Sequence, residues 1–233
     1  MAQFIFMLTR NDRTIADARE VFARIADLPL QFIGFKDIGL PVDELKALAD
    51  DIRSNGQQVM LEVVSETEAD ELNSLRSACR IGVDYVLGGT HAAEATAILA
   101  GSGIRYMPFP GRVVGHPSVL CGPPDAIVES AVRLAETEGV DGLDLLAYRF
   151  SGDVEALIAA VVQAVEVPVI AAGSIASEER IRIVAELGVW GFTVGSAVFA
   201  NAFKGGEPSL RGQIEAILAA AGGGGSQIPR RIT

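Results

Sequence analysis

Two stretches near the C-terminus decide how this chain is read: PVIAAGSI, from Pro168 to Ile175, and GFTVGSAVF, from Gly191 to Phe199. Each is a short apolar run that closes on the pair Gly-Ser. A buried strand accounts for the Val, Ile and Ala, which pack well on a pleated surface. It does not account for the repeated ending. Working outward, the same alternation of an apolar run and an amphipathic segment fills the chain. Gln3–Thr9 (QFIFMLT) is apolar and β-prone, and from Thr14 to Ile25 the period changes so that Ile15, Ala18, Val21, Phe22 and Ile25 share one helical face. Further strands are predicted at Gln31–Phe35, Gln58–Val64, Asp84–Leu87, Arg105–Pro108, Gly142–Ala147, Val167–Ala172 and Gly191–Val194, each followed by a segment of helical length.

Runs such as VPVIAA and LEVV are apolar nearly throughout, as a parallel sheet covered on both faces requires. Ser177 and Asp153 stand where N-caps belong. Eight strand-helix units in about 220 residues is the count of a closed barrel, whereas an open doubly wound sheet, the alternative, usually has five or six strands. The expected fold class is therefore α/β: a single (β/α)8 TIM barrel with a parallel, closed eight-stranded sheet over residues 1–221. Residues 222–233, GGGGSQIPRRIT, read as a flexible Gly/Ser-rich tail. One strand spacing is longer than the rest, and the surplus lies in PGRVVGHPSVLCGPP (Pro110–Pro124), too rich in Gly and Pro for a helix interior and expected to be a functional loop.

Composition narrows the function classes. The chain has 233 residues, 49% hydrophobic and 21% charged, with a net charge of −11. That balance, and no basic run longer than Arg230-Arg231, argues against nucleic acid or an anionic membrane as partner. No apolar run reaches membrane-spanning length, and the start lacks a leading basic segment, so a cytoplasmic location is expected. Cys79 and Cys121 have no metal-like or CxxC spacing and read as reduced thiols.

The repeated ending has a physical cause in such a barrel. Phosphate sites are frequently built from the loops after strands seven and eight with the start of a short extra helix. Glycine lets backbone amides approach an oxyanion, and the serine hydroxyl adds a donor. Gly173, Ser174, Gly195 and Ser196 are thus the expected phosphate-binding residues, in place of a basic cluster.

These motifs resemble the closing segments of the phosphate-binding barrels that include ribulose-phosphate epimerase, indole-glycerol-phosphate synthase and the histidine-pathway isomerases. The resemblance covers about the last sixty residues by motif and the whole chain by layout, and implies a small phosphorylated substrate. FMLTRNDRTIADA and FIGFKDIGLP also resemble the archaeal synthase that condenses triose phosphates into a furan phosphate. This chain departs from that pattern: Phe35 replaces a valine, Asp37 an asparagine, and DYVLGGTH lacks the strand-four lysine. No single family is assigned.

Chemistry belongs at the C-terminal ends of the strands. Strand one delivers Thr9, Arg10, Asn11 and Asp12 there, strand two Lys36 and Asp37, and strand three Glu62 and Ser65. Thr90 and His91 follow strand four, Arg112 and His116 lie on the long loop, and Asp144, Tyr148 and Arg149 come from strand six. Lys36 and Glu62 each interrupt an apolar strand, where an unpaired charge costs several kcal/mol, so each needs a partner. Either Lys36 forms a structural ion pair with Glu62 or Asp144, or the same balance tunes it as a Schiff-base nucleophile or proton donor, with Glu62 or Asp144 as general base.

Lys36, Glu62 and Asp144 are accordingly the catalytic candidates. Arg10, Asp37, His91 and His116 are candidates for binding, and Arg112 and Arg149 for clamping a second anionic group. The expected activity is carbonyl chemistry of the aldolase/lyase or isomerase/epimerase type. Familiar Schiff-base barrels often place their lysine on strand six, where this chain has LDLLAYR. The alternative is a non-catalytic barrel that binds a phosphometabolite or flavin mononucleotide. No cofactor is expected; a divalent metal held by the histidines with Asp37, Glu62 and Asp144 is the variant considered, without HxH or HxxE spacing to support it. A homo-oligomer is left open.

Overall fold

In every strand one residue parity serves the barrel interior and the other the helices outside. A computed structural model describes residues 2–222; the tail beyond Gly222 lies outside the described residues. The eight barrel strands are β1 (Gln3–Met7), β2 (Phe32–Lys36), β3 (Gln58–Val63), β4 (Tyr85–Gly88), β5 (Arg105–Met107), β6 (Leu143–Leu145), β7 (Val169–Ala171) and β8 (Gly191–Val194). All pair in parallel, in the order β6-β7-β8-β1-β2-β3-β4-β5. The end strands β5 and β6 meet through Asp141 N–H to Tyr106 O (2.8 Å) and Asp144 N–H to Pro108 O (3.0 Å), and Asp141 Oδ2 accepts from Tyr106 N–H at 3.0 Å. The ring closes across that seam.

Helices α1 (Ala18–Ala23), α2 (Val42–Ser54), α3 (Glu68–Ile81), α4 (Ala92–Leu99), α5 (Pro124–Ala135), α6 (Val154–Ala164) and α7 (Glu178–Glu186) follow the first seven strands. The one-turn α8 (Ser196–Phe199) and then α9 (Leu210–Ala220) follow the eighth. Asp153 and Ser177 cap α6 and α7, accepting from Ala156 N–H and Arg180 N–H. Ile5, Met7, Phe32, Met60, Tyr85, Leu87, Met107 and Ile170 fill the interior, over Trp190. Small residues make room for the methionines: a Cβ on Gly34 would stand 2.3 Å from Met7 Sδ, and one on Gly142 2.2 Å from Met107 Cε. The larger core lies between sheet and helices.

Two segments differ from the sequence expectation. Thr9–Arg10 pairs antiparallel with Arg13–Thr14 around Asn11 and Asp12, whose φ values of 51° and 62° are those of a two-residue type I′ hairpin. The hairpin consumes the start of the predicted helix, so α1 is shorter than Thr14–Ile25. Within Pro110–Pro124, Arg112–Val114 pairs antiparallel with Val119–Cys121, so the expected loop contains a hairpin of its own.

Candidate functional site

Lys36 and Glu62 are register partners on β2 and β3 and share the inward parity, whereas Phe35 and Leu61 beside them face the helices. Both side chains are buried. Lys36 Nζ lies 2.5 Å from Asp12 Oδ1 and 3.3 Å from Glu62 Oε2. The type I′ turn is what swings Asp12 over the barrel mouth. Thr14, on the returning strand of that hairpin, fixes it to β2 by donating its hydroxyl to Lys36 O and accepting from Lys36 N–H, both at 2.8 Å.

Asp12 joins three more elements. Arg149 Nη2 donates to its Oδ1 at 3.2 Å, Ser118 N–H donates to its Oδ2 at 3.2 Å, and His116 Nδ1 stands 3.7 Å from Oδ2. Arg149 Nη1 donates to Ser118 O at 3.2 Å, so the Pro110–Pro124 segment is clasped over the mouth by one residue's amide and carbonyl. The Lys36-Asp144 ion pair considered from sequence does not form. Asp144 is fully buried on β6, and neither carboxyl oxygen has a hydrogen-bond partner.

The three acids behave differently because their neighbours differ. Burial disfavours the Asp12 carboxylate, but Lys36, Arg149 and the Ser118 amide outweigh it and hold the carboxyl below its ordinary range. Burial pushes Glu62 up, Lys36 opposes this, and Asp12 adds to it, leaving Glu62 raised. Asp144 is raised well above the usual carboxylate range by burial and then by Glu62. Burial works against the Lys36 ammonium, yet Glu62 and Asp12 overcome it, so Lys36 holds its proton more tightly than a free lysine. The mouth therefore combines an ammonium and an Asp12 carboxylate that stabilise each other's charge, next to a buried acid whose charge is disfavoured.

Both Gly-Ser turns line the same cleft as Asp12, Lys36, Glu62, Ser118, Arg149 and Thr193, a space of about 100 Å³. Gly173 and Ser174 adopt φ of 81° and 53°, the left-handed conformation that turns the chain sharply after β7. A Cβ on Gly195 would lie 2.4 Å from Thr9 Oγ1 and 3.1 Å from Met7 O, so glycine is needed for β8 to meet β1. Among the described residues, the backbone N–H groups of Gly173, Ser174, Gly195 and Ser196 donate to no acceptor in the chain. Behind the first turn, Arg180 Nη1 donates to Ser174 O at 2.6 Å while its guanidinium stacks 4.7 Å from the Tyr148 ring.

The other candidates lie elsewhere. Asp37 follows Lys36 and so has the opposite parity; its carboxylate accepts from Val64 N–H (3.0 Å), Ser74 Oγ (2.7 Å) and Ser65 Oγ, tying β2 to β3 and α3. It borders a separate groove on the outside of the barrel, to which His116 also contributes. His91 starts α4 and is held by Glu71, which accepts from its backbone N–H at 2.9 Å and pairs with Nδ1 at 2.8 Å. Arg112 lines a third cleft with Cys121 and Arg133. Arg10 is exposed and packs 4.9 Å from the Phe199 ring. Asp12, named from sequence only as a strand-end residue, and Ser118 are the central members that sequence reasoning gave no role. Among the described residues no group of three or more His, Cys, Asp or Glu is arranged to hold a metal ion, and no helix is long and apolar enough to cross a membrane.

A closed eight-stranded barrel with two bare-amide turns beside a buried charge cluster is the class of molecule that fold and site define. Solved structures with the same barrel fold match the chain. A mutant tryptophan synthase α-subunit from Pyrococcus furiosus matches with a TM-score of 0.67 and 14% identity over 95% of this chain and 98% of that one. Orotidine 5'-phosphate decarboxylase from Pyrococcus horikoshii OT3 matches with 0.66 and 15% over 95% and 100%. N-acetylmannosamine-6-phosphate 2-epimerase from Clostridium perfringens matches with 0.61 and 12% over 84% and 86%. No protein-family model matches the chain, and no curated protein matches it by sequence. At these identities the likeness shows the fold.

Proposed function

We propose that this chain is an enzyme that acts on a small phosphorylated carbonyl compound, as a lyase or isomerase, with the phosphate held by the turns at Gly173-Ser174 and Gly195-Ser196. The observation that carries the reading is the meeting, in one cleft, of four unengaged backbone N–H groups with the buried Lys36-Glu62 pair. Bare amides are natural ligands for a phosphate oxyanion, and a phosphate so fixed brings the rest of a short molecule to the charged end. The cleft, about 100 Å³, is smaller than the cavity of about 150 Å³ that takes up benzene. That favours a short-chain compound over a three-ring flavin.

Of the two roles considered for Lys36, the geometry favours the charged one. An ammonium clasped by two carboxylates is a poor imine former, because the nucleophile is the free amine. The same ammonium is suited to stabilising negative charge that develops on a carbonyl oxygen. The Glu62 carboxylate beside it, made more basic by burial, fits the general base that removes a proton next to that carbonyl. Asp144, whose charged form is disfavoured by burial and by Glu62, lies behind the cleft lining and is better suited to tuning Glu62 than to touching a substrate.

The test is calorimetric titration of the protein with inorganic phosphate. Ser196 is exposed, so Ser196→Asp leaves the core intact while placing a carboxylate in the cup. Binding by the native chain and its loss, by at least about tenfold, in the variant are expected, since like charges in contact cost several kcal/mol. Equal affinity in a variant with unchanged circular dichroism removes the assignment.

A further inference from the structure

The cations in the mouth are already matched. Lys36 is held by Asp12 and Glu62, and Arg149 by Asp12 and the Ser118 carbonyl. Nε is the Arg149 nitrogen with no hydrogen-bond partner, and it lies at the phosphate end: a Cβ on Gly173 would stand 3.4 Å from it. Arg180, which backs Ser174, pairs with no carboxylate among the described residues. Beside the cup, therefore, lie an Arg149 N–H without an acceptor and the Arg180 guanidinium without a carboxylate, while at the opposite end Asp12 and Glu62 stand against Lys36 and Arg149. Arg112, the other candidate for a second anion, borders a different cleft.

We infer that the site selects a phosphate monoester whose remaining few atoms carry no second anionic group: a phosphorylated small neutral carbonyl or polyol, and not a phosphorylated acid or a bisphosphate. The inference rests on the phosphate reading above. A carboxylate at the far end of such a molecule would lie against Asp12 and Glu62 without a free cation to meet it. Rejection of that kind is specificity by repulsion, achieved by the pairing of Lys36 and Arg149 rather than by shape.

Two esters of the same length isolate the effect: glycerol 3-phosphate, and 3-phosphoglycerate, which adds a carboxylate. Calorimetric titration of the full chain should give glycerol 3-phosphate at least about tenfold tighter binding. Equal or tighter binding of 3-phosphoglycerate overturns the inference while leaving the phosphate cup standing. If neither ester nor inorganic phosphate binds, the phosphate reading falls and the inference with it. Asp12→Asn unpairs Lys36 and Arg149 and should narrow the preference. Should that variant not fold, Glu62→Gln makes the same change at Lys36 alone. A preference unaltered in the folded variant overturns the charge-matching account.

Discussion

Asp144 sits between Leu143 and Leu145, with both carboxyl oxygens buried and unpartnered. Burial and the nearby Glu62 raise its affinity for a proton far above that of an unfolded chain. Between the unfolded and folded titration ranges the native state then binds one proton more than the unfolded state, so this residue lowers stability as pH rises, by up to about 1.4 kcal/mol per pH unit. Asp144→Asn keeps the shape and removes the ionisation. Urea unfolding should show the variant level with the native chain near pH 4 and more stable at pH 8; a difference that does not change with pH would contradict a neutral Asp144. Asp12 has the opposite sign: its lowered titration contributes stability at neutral pH that is lost on acidification. At this scale Lys36 and Glu62 were legible because a charge inside an apolar strand demands a partner. The partner's identity was not, since Asp12 reaches Lys36 only through the backbone conformation of its turn.

At the scale of elements, the Thr9–Thr14 hairpin and the Pro110–Pro124 segment set the site's geometry. The hairpin depends on Asn11 at φ 51°, a conformation that asparagine and glycine tolerate and β-branched residues resist. Asn11→Gly should be nearly neutral, whereas Asn11→Val should cost about 1–2 kcal/mol. Denaturant midpoints of the two variants check this, and equal midpoints would mean that the turn does not constrain the mouth. Strands β4 and β8 were readable almost to the residue from apolar runs, and the caps of α6 and α7 from Asp153 and Ser177. The two hairpins escaped because both are short, polar and outside the alternation of strand and helix. Asp37 shows the same limit: one step along β2 reverses a side chain, and strand ends are where sequence is least able to fix parity.

For the whole molecule, the curvature of the sheet is decisive: the pairing of β7 with β8 and of β8 with β1 sets the turns at Gly173 and Gly195 next to β1 and β2, and closure at the far seam completes the ring. The seam between β5 and β6 relies on Asp141, whose carboxylate takes the Tyr106 amide. Asp141→Ala leaves that amide without its acceptor and should cost about 1–3 kcal/mol in a single cooperative transition. Thermal unfolding followed at two wavelengths checks it, and an unchanged midpoint would show that the seam does not bear on closure. Sequence by itself determined the number of strand-helix units, the barrel, and the glycines and serines at the last two turns, because periodicity and turn chemistry are local properties of the chain. Tertiary structure alone decided that Asp12 clasps Lys36 and Arg149, that Asp37 and Arg112 border other clefts while His91 is held by Glu71, and that Asp144 has no partner. Those outcomes depend on distances between residues far apart in the chain, which packing fixes and no local pattern encodes.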